Sequence, residues 1–187
     1  ELTEIDLPTS LTIINEYAFS NCSGITEIIV PDSVTTIGVG AFKGMTSLKK
    51  LTVPFVGASR DATYYDAVLG YVFGYTLLSD NGYNGSYTYV NSKYGTQPTG
   101  TTWQYTYGAR KSSSYYYRES YYYYIPSSLT SITVTDATAI KTAAFNNCSN
   151  LTEIKLNEGI TSIGDYAFQN CTGITAIDIP DTVIAIG

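Results

Sequence analysis

The chain has 187 residues, 44% of them hydrophobic, and this proportion excludes an intrinsically disordered chain. Its formal net charge is −6 and its 10 Lys and Arg residues are scattered, which argues against nucleic acid or an anionic membrane as a partner. No apolar run reaches the roughly 18 residues of a membrane-spanning helix, and no leader peptide is recognisable.

A short strand pattern recurs along the chain with a period of 23 residues. Its first, fourth and sixth positions are apolar, as in Leu2, Ile5 and Leu7. A fixed period of this length predicts a solenoid in which each coil adds one strand to the same face. The pattern occurs at residues 2–8, 25–31, 48–54, 129–134, 151–156 and 174–180.

Each full repeat has a second half with its own signature. Residues 34–38 alternate apolar and polar positions, which is typical of a half-buried strand. An Ala-Phe pair follows, as at Ala41 and Phe42, and we expect both side chains to point inward. An Asn-Cys pair then closes the coil at residues 21–22, 147–148 and 170–171. The sequence therefore predicts a short strand on each side of every coil.

The combined pattern L-x-x-I-x-I-P-x-x-V-x-x-I-G-x-x-A-F-x-x-C resembles the leucine-rich repeats of BspA-like bacterial surface proteins. The resemblance implies a β-rich, right-handed leucine-rich-repeat solenoid. It also implies an exported protein that is secreted or attached to the cell surface, and a role in adhesion or in binding host or matrix components. It names no ligand, because function depends on sites that differ between members of one fold. The chain begins and ends within repeats, so we expect flanking repeats and any signal or anchor to lie outside it.

The array is interrupted in its third repeat, where the strand patterns at 48–54 and 129–134 lie 81 residues apart. We predict one domain over residues 1–187, with repeats at 1–56 and 126–187 and an insertion at 57–125. Within the insertion, residues 69–74 resemble a degenerate second half-repeat. In that alignment Leu69, Gly70 and Phe73 take the places of Ile37, Gly38 and Phe42.

The insertion is rich in tyrosine: 17 of the 19 tyrosines lie between Tyr64 and Tyr124. Aromatic and β-branched runs between Asn-Gly and Gly-Thr-Gln-Pro turn signals predict short strands in hairpins. We predict that residues 87–90 pair with residues 103–107. A second hairpin is predicted to join 115–117 to 121–125 across Arg118, Glu119 and Ser120.

The tyrosines support two interpretations. They form the insertion's own core, or they form a recognition patch, since a Tyr ring offers an apolar face and a polar tip to a protein or a sugar. The candidate binding surface consists of Trp103, Tyr105, Tyr107, Arg110, Tyr115, Tyr116, Tyr117, Arg118, Tyr121, Tyr122 and Tyr123.

A second candidate surface is the outward side of the strands. Stacked strands place their outward residues in two columns, on the face that solenoids commonly use for binding. The columns carry no single charge and no aromatic ladder, which favours an ordinary solvated surface. The candidate residues on this face are Glu4, Asp6, Glu27, Lys50, Glu153, Lys155 and Asp178.

Little in the sequence points to catalysis. The chain has no histidine, which excludes an imidazole base or a histidine-ligated metal. Cys22, Cys148 and Cys171 share one repeat position with Met45, which indicates buried thiols, although Cys148 and Cys171 lie close enough for a disulfide. We predict a noncatalytic extracellular module without a cofactor or metal. Its ligand is a protein or, alternatively, a carbohydrate, and a spacer without a ligand is the third hypothesis.

Overall fold

The structure, a computed structural model, describes residues 2–78, 101–111 and 116–187, with side chains described for 2–74, 104 and 123–187. The described chain contains twelve strands and two 3₁₀ helices. The strands are β1 (Ile13–Ile14), β2 (Glu27–Ile29), β3 (Thr36–Ile37), β4 (Lys50–Val53), β5 (Tyr75–Leu78), β6 (Thr101–Lys111), β7 (Tyr116–Pro126), β8 (Ser131–Val134), β9 (Ala139–Ile140), β10 (Glu153–Lys155), β11 (Ser162–Ile163) and β12 (Ala185–Ile186). The helices are η1 (Tyr64–Ala67) and η2 (Leu69–Phe73).

The fold is a parallel β-solenoid of about six turns, as the 23-residue period predicts. One face, the first face, is a four-stranded parallel sheet in the order β2, β4, β8, β10. Leu51 of β4 pairs with Ile132 of β8, so this sheet continues across the interruption. Their side chains point inward and are at most 1% exposed. Burying each such side chain is worth about 1.5–3 kcal/mol.

The opposite side of the coils, the second face, carries two separate parallel sheets. β1 pairs with β3, while β9, β11 and β12 form the other sheet. Between the two sheets, the N–H of Ile37 donates a hydrogen bond to the carbonyl of Ala58 over 2.9 Å. The third repeat therefore contributes a strand to the first face and no assigned strand to the second.

Phenylalanines stack along the interior behind the Ala-Phe turns. The Phe19 and Phe42 rings lie 6.1 Å apart, and Phe42 and Phe73 lie 6.4 Å apart. Phe19 N–H donates to the carbonyl of Ala41, the residue before Phe42. In the same way, Phe42 N–H donates over 2.8 Å to the carbonyl of Val72, the residue before Phe73. Phe73 thus occupies the phenylalanine position of the interrupted coil.

Each regular coil turns through two residues with positive φ, four positions apart. In the second coil these are Gly40 and Gly44, at φ 64° and 75°. Asn21 and Asn170 hold the second position elsewhere, because Asn tolerates the left-handed region. The amide of Asn170 donates to the side-chain oxygen of Asn147 over 2.8 Å, so these asparagines link adjacent coils.

Two predictions about strands are wrong. Residues 2–8 and 174–180 form no assigned strand, so the first-face sheet ends at β2 and β10, although the second halves of the same two coils form β1 and β12. The predicted pairing of 115–117 with 121–125 fails as well: Tyr116, Tyr117 and 121–125 lie in the single strand β7.

A separate antiparallel sheet has β7 at its centre, between β5 and β6. β6 and β7 pair over their whole length, from Thr101 opposite Pro126 to Lys111 opposite Tyr116. Residues 103–107 of β6 therefore pair with β7, and the partner predicted at 87–90 lies outside the described residues. We call the paired strands β6 and β7 the hairpin. The proposed domain boundaries at 57 and 125 stay a prediction.

Candidate functional site

The hairpin joins the solenoid through the register pair Gln104 and Tyr123. Both side chains are completely buried. A buried polar group is costly unless its hydrogen bonds are satisfied, so the surroundings of these two residues determine how firmly the hairpin is held.

Gln104 uses its acceptor and its amide donor group at this junction. Its Oε1 accepts a hydrogen bond from Gly70 N–H over 2.6 Å. Its Nε2 donates to the carbonyls of Ala143 and Ala144 over 3.2 and 3.0 Å. One side chain of the hairpin thereby connects the interrupted coil to the Ala-Phe turn of the next coil.

Tyr123 packs against the same segment of the solenoid. Its hydroxyl donates to the carbonyl of Tyr65 over 2.6 Å. A Cβ atom added at Gly70 would lie 2.1 Å from the Tyr123 Cβ and 3.0 Å from Gln104 Oε1. Only glycine leaves room for the hairpin to approach this closely.

Placing Tyr123 in the candidate binding surface is wrong, because its side chain is 0% exposed and belongs to the junction. It is one of four consecutive tyrosines, and the sequence does not reveal which of them faces the solenoid. The sequence pattern does not identify Gln104, and it aligns Gly70 with Gly38 of a regular repeat without indicating a contact with the hairpin. Two features of the sequence are consistent with a buried junction: Gln104 is a polar residue within an aromatic strand, and Gly70 lies inside an apolar run.

The other candidates in the insertion are placed by their backbones alone. Trp103, Tyr105, Tyr107 and Arg110 lie on β6. The register brings Tyr105 opposite Tyr122 and Arg110 opposite Tyr117. The side chains of these residues lie outside the described part of the structure, as does Tyr115. The remaining candidates on β7 are Tyr116, Arg118 and Tyr121.

Four of the strand-face candidates lie on strands of the first-face sheet: Glu27, Lys50, Glu153 and Lys155. Glu27, Lys50, Ser131 and Glu153 are successive partners in the first-face sheet. Lys50 Nζ lies 3.9 Å from Glu27 Oε2, and both side chains are more than half exposed. Surface pairs of this kind contribute about 0–1 kcal/mol.

Three neighbours, Ser131, Lys155 and Lys50, favour the charged form of Glu153. The Ser131 hydroxyl, which donates to Glu153 Oε2 over 2.7 Å, makes the largest contribution to lowering the pKa of this carboxyl. Lys155 Nζ, 3.0 Å from Glu153 Oε1, lowers the pKa further. The lysines beside Glu27 and Glu153 thus balance the charges of these carboxylates, and little net charge remains on this face to attract a charged partner. Glu4, Asp6 and Asp178 are exposed but belong to no assigned strand.

Arg60 forms a second junction that the sequence did not reveal. Its guanidinium donates to the Asp32 carbonyl over 3.0 Å and to the Val34 carbonyl over 3.2 Å, both in the second coil. It also pairs with the carboxylate of Asp136 in the fourth coil and lies over the Phe55 ring, 5.2 Å from the centroid. Arg60 therefore bridges the two coils that flank the interruption.

The three cysteines are free thiols. Burial is the first cause that raises the pKa of Cys148 and of Cys171. Among the described residues, no group of three or more His, Cys, Asp or Glu side chains is arranged to hold a metal ion. No helix in the same part of the chain is long and apolar enough to cross a membrane.

The fold and the stacked repeats define a leucine-rich-repeat protein. The family model for the BspA type leucine rich repeat region, with six copies, matches residues 1–65 and 117–187. The chain belongs to this family.

Solved structures with similar folds come from bacterial leucine-rich-repeat proteins. One from Eubacterium ventriosum is 17% identical, with a TM-score of 0.52, and the match covers 99% of this chain and 35% of that one. One from Bacteroides ovatus is 22% identical with a TM-score of 0.49, covering 97% and 32%. A leucine rich cell surface protein from Faecalibacterium prausnitzii is 23% identical with a TM-score of 0.31, covering 96% and 42%.

The chain spans about one third of the length of the first two of these proteins. A search of curated proteins finds no match.

Proposed function

We propose that the chain is a noncatalytic binding module of a bacterial cell-surface or secreted protein, and that the hairpin recognises a host, matrix or neighbouring-cell protein. Membership of the BspA-type family supports the surface role. The observation that carries the proposal is the buried, hydrogen-bonded attachment of the hairpin to the solenoid. Gln104 and Tyr123 bury its base against the solenoid, so the strands beyond them are held at a defined position.

The composition of the hairpin beyond its base supports recognition. Residues 105–122 contain seven tyrosines, and Arg110, Lys111 and Arg118 lie among them. Tyrosine supplies large contact area at a low cost in side-chain entropy, which suits protein interfaces. The first face is a weaker candidate because Lys50 and Lys155 lie beside Glu27 and Glu153 and compensate their charges.

The register allows a precise test. Gln104 and Tyr123 are direct partners, so a variant in which Asn-Gly replaces residues 105–122 should close the hairpin with a two-residue turn. The variant keeps both buried anchors and removes nearly the whole candidate surface. Both proteins are applied to arrays of matrix proteins and glycans, and circular dichroism checks that the variant is folded.

The proposal predicts binding to a protein that the truncated variant loses. A matched control, Glu27→Ala with Lys155→Ala on the first face, should bind like the unaltered chain. Hits confined to glycans would favour the carbohydrate-binding alternative. Equal binding by the truncated variant would contradict a role for the hairpin, and no binding by either protein would support a spacer.

A further inference from the structure

Cys148 and Cys171 occupy the same position in adjacent coils. They are 23 residues apart, the same offset as the strand partners Ile140 and Ile163. Backbones of neighbouring parallel strands lie about 4.8 Å apart. The Cα atoms of a disulfide are usually about 4.4–6.8 Å apart, so equivalent residues of adjacent coils meet this requirement.

Backbone hydrogen bonds hold the two coils together beside both cysteines. Phe145 N–H donates to the carbonyl of Ala167, and Asn147 N–H donates to the carbonyl of Gln169, each over 2.8 Å. The offset between Cys148 and Cys171 is therefore fixed by the main chain on the N-terminal side of each cysteine.

The Cys171 sulfur already reaches the neighbouring coil. Its thiol donates to the carbonyl of Phe145 over 3.0 Å. The same carbonyl accepts a hydrogen bond from Cys148 N–H over 3.1 Å. The Phe145 carbonyl would consequently still accept the hydrogen bond from Cys148 N–H if the Cys171 sulfur lost its proton and bonded to Cys148.

We propose that Cys148 and Cys171 form a disulfide between adjacent coils when the protein meets a small, low-molecular-weight disulfide. In the first step, Cys171 loses its proton and attacks one sulfur of the small disulfide, whose S–S bond breaks and releases one thiol that takes up the proton. In the second step, Cys148 loses its proton and attacks the Cys171 sulfur, which releases the second small thiol. Two protein thiols are oxidised and one small disulfide is reduced to two thiols.

Burial determines the rate of this reaction and the persistence of its product. Cys148 is 1% exposed and Cys171 is 9% exposed. The thiolate is the attacking species, and burial raises the pKa of both thiols, so exchange should be slow and should depend on local opening of the coil. The same burial should shield the completed disulfide from reducing thiols.

The chain contains a matched control in Cys22. Cys22 holds the same repeat position, but the adjacent coil carries Met45 there. The full chain is incubated with excess hydroxyethyl disulfide, quenched, alkylated with N-ethylmaleimide under denaturing conditions and mapped by mass spectrometry. The expected result is a cross-linked peptide pair containing Cys148 and Cys171, with Cys22 outside any cross-link, either alkylated or carrying the small thiol as a mixed disulfide. The cross-link should raise Tm by roughly 5–10 °C, because it closes a loop in the unfolded chain.

Two variants make the test decisive. Cys171→Ser should give no cross-link, with Cys22 and Cys148 each found as the free thiol or as a mixed disulfide with the small thiol. Met45→Cys creates the same adjacent-coil pair with Cys22, and this pair should cross-link too. Three alkylated cysteines in the unaltered chain, a link that involves Cys22, or cross-linking in Met45→Cys without a link between Cys148 and Cys171 would each overturn the proposal.

Discussion

The two faces of the solenoid differ in whether strand pairing continues across the interrupted coil. On the first face β4 pairs directly with β8, and Thr52 lies opposite Thr133 as it would in adjacent regular coils. On the second face the sheets end at β3 and resume at β9. There the joint is made by single backbone hydrogen bonds, such as that from Ile37 N–H to the Ala58 carbonyl, and by two side chains, Arg60 and Gln104, which hydrogen-bond to carbonyls of the flanking coils.

The difference shows what a solenoid needs in order to tolerate an insertion. Lengthening the connection between strands from 23 to 81 residues raises the entropy cost of closing the loop by only about 1 kcal/mol, because this cost grows with the logarithm of length. Burying one side chain such as Leu51 contributes more, about 1.5–3 kcal/mol. One continuous set of strand pairings therefore suffices to hold the coils together across the insertion. The opposite face can then have its two sheets separated.

The largest expected effect comes from breaking the continuous face. Ile132→Ala removes a fully buried side chain of β8 and should lower the free energy of unfolding by about 2–4 kcal/mol in urea denaturation. The control Thr133→Ala, on the outward side of the same strand, should change it by less than about 0.5 kcal/mol. Equal effects of the two substitutions would mean that β8 does not pack into the core.

The hairpin junction is the next target. Gln104→Leu leaves the buried Gly70 N–H without its acceptor and should cost about 1–3 kcal/mol. Gly70→Ala forces a Cβ against Tyr123 and should cost a similar amount. Because both substitutions damage one contact, the double variant should lose less than the sum of the two effects. Strict additivity in urea denaturation would show that Gln104 does not act through Gly70.

Arg60 bridges the second face with a smaller expected contribution. Arg60→Ala should cost about 1–2 kcal/mol, because it removes hydrogen bonds to coils on both sides of the gap. Arg60→Lys should not restore the loss, since a single ammonium cannot reproduce the guanidinium's fork of donors. Lys49→Ala, at an exposed position immediately before β4, is the control. If Arg60→Lys unfolded with the same free energy as the unaltered chain, the positive charge of Arg60 would account for its whole contribution.

The smallest effect concerns the pKa of Glu153. Its folded-state pKa is lowered, so the Ser131 and Lys155 contacts favour folding above the usual pKa and lose this effect as the pH falls through the folded value. Ser131→Ala and Lys155→Ala should each raise the pKa, because Ser131 donates a hydrogen bond to the charged carboxylate and Lys155 contributes both a hydrogen bond and a positive charge. An NMR titration of the carboxyl carbon measures both shifts. An unchanged pKa in either variant would show that the deleted side chain does not stabilise the charged carboxylate.

These contrasts also mark what the sequence can predict. The 23-residue period predicts the first-face register, because every coil repeats the same inward positions, as at Leu51 and Ile132. It does not predict Gln104, which contacts Gly70 at a sequence separation of 34 residues. Arg60 likewise bonds to Asp136, 76 residues away. Such contacts occur once in the chain and leave no repeated pattern to read.

A hairpin anchored by Gln104 and Tyr123 rests on a solenoid whose first face is continuous. Hydrogen exchange of the variant with Asn-Gly in place of residues 105–122 tests this arrangement most directly. Amides of Lys50–Val53, Ser131–Val134 and Gly70 should keep the protection that they have in the unaltered chain. Loss of protection in β4 and β8 would show instead that the first-face sheet depends on the hairpin.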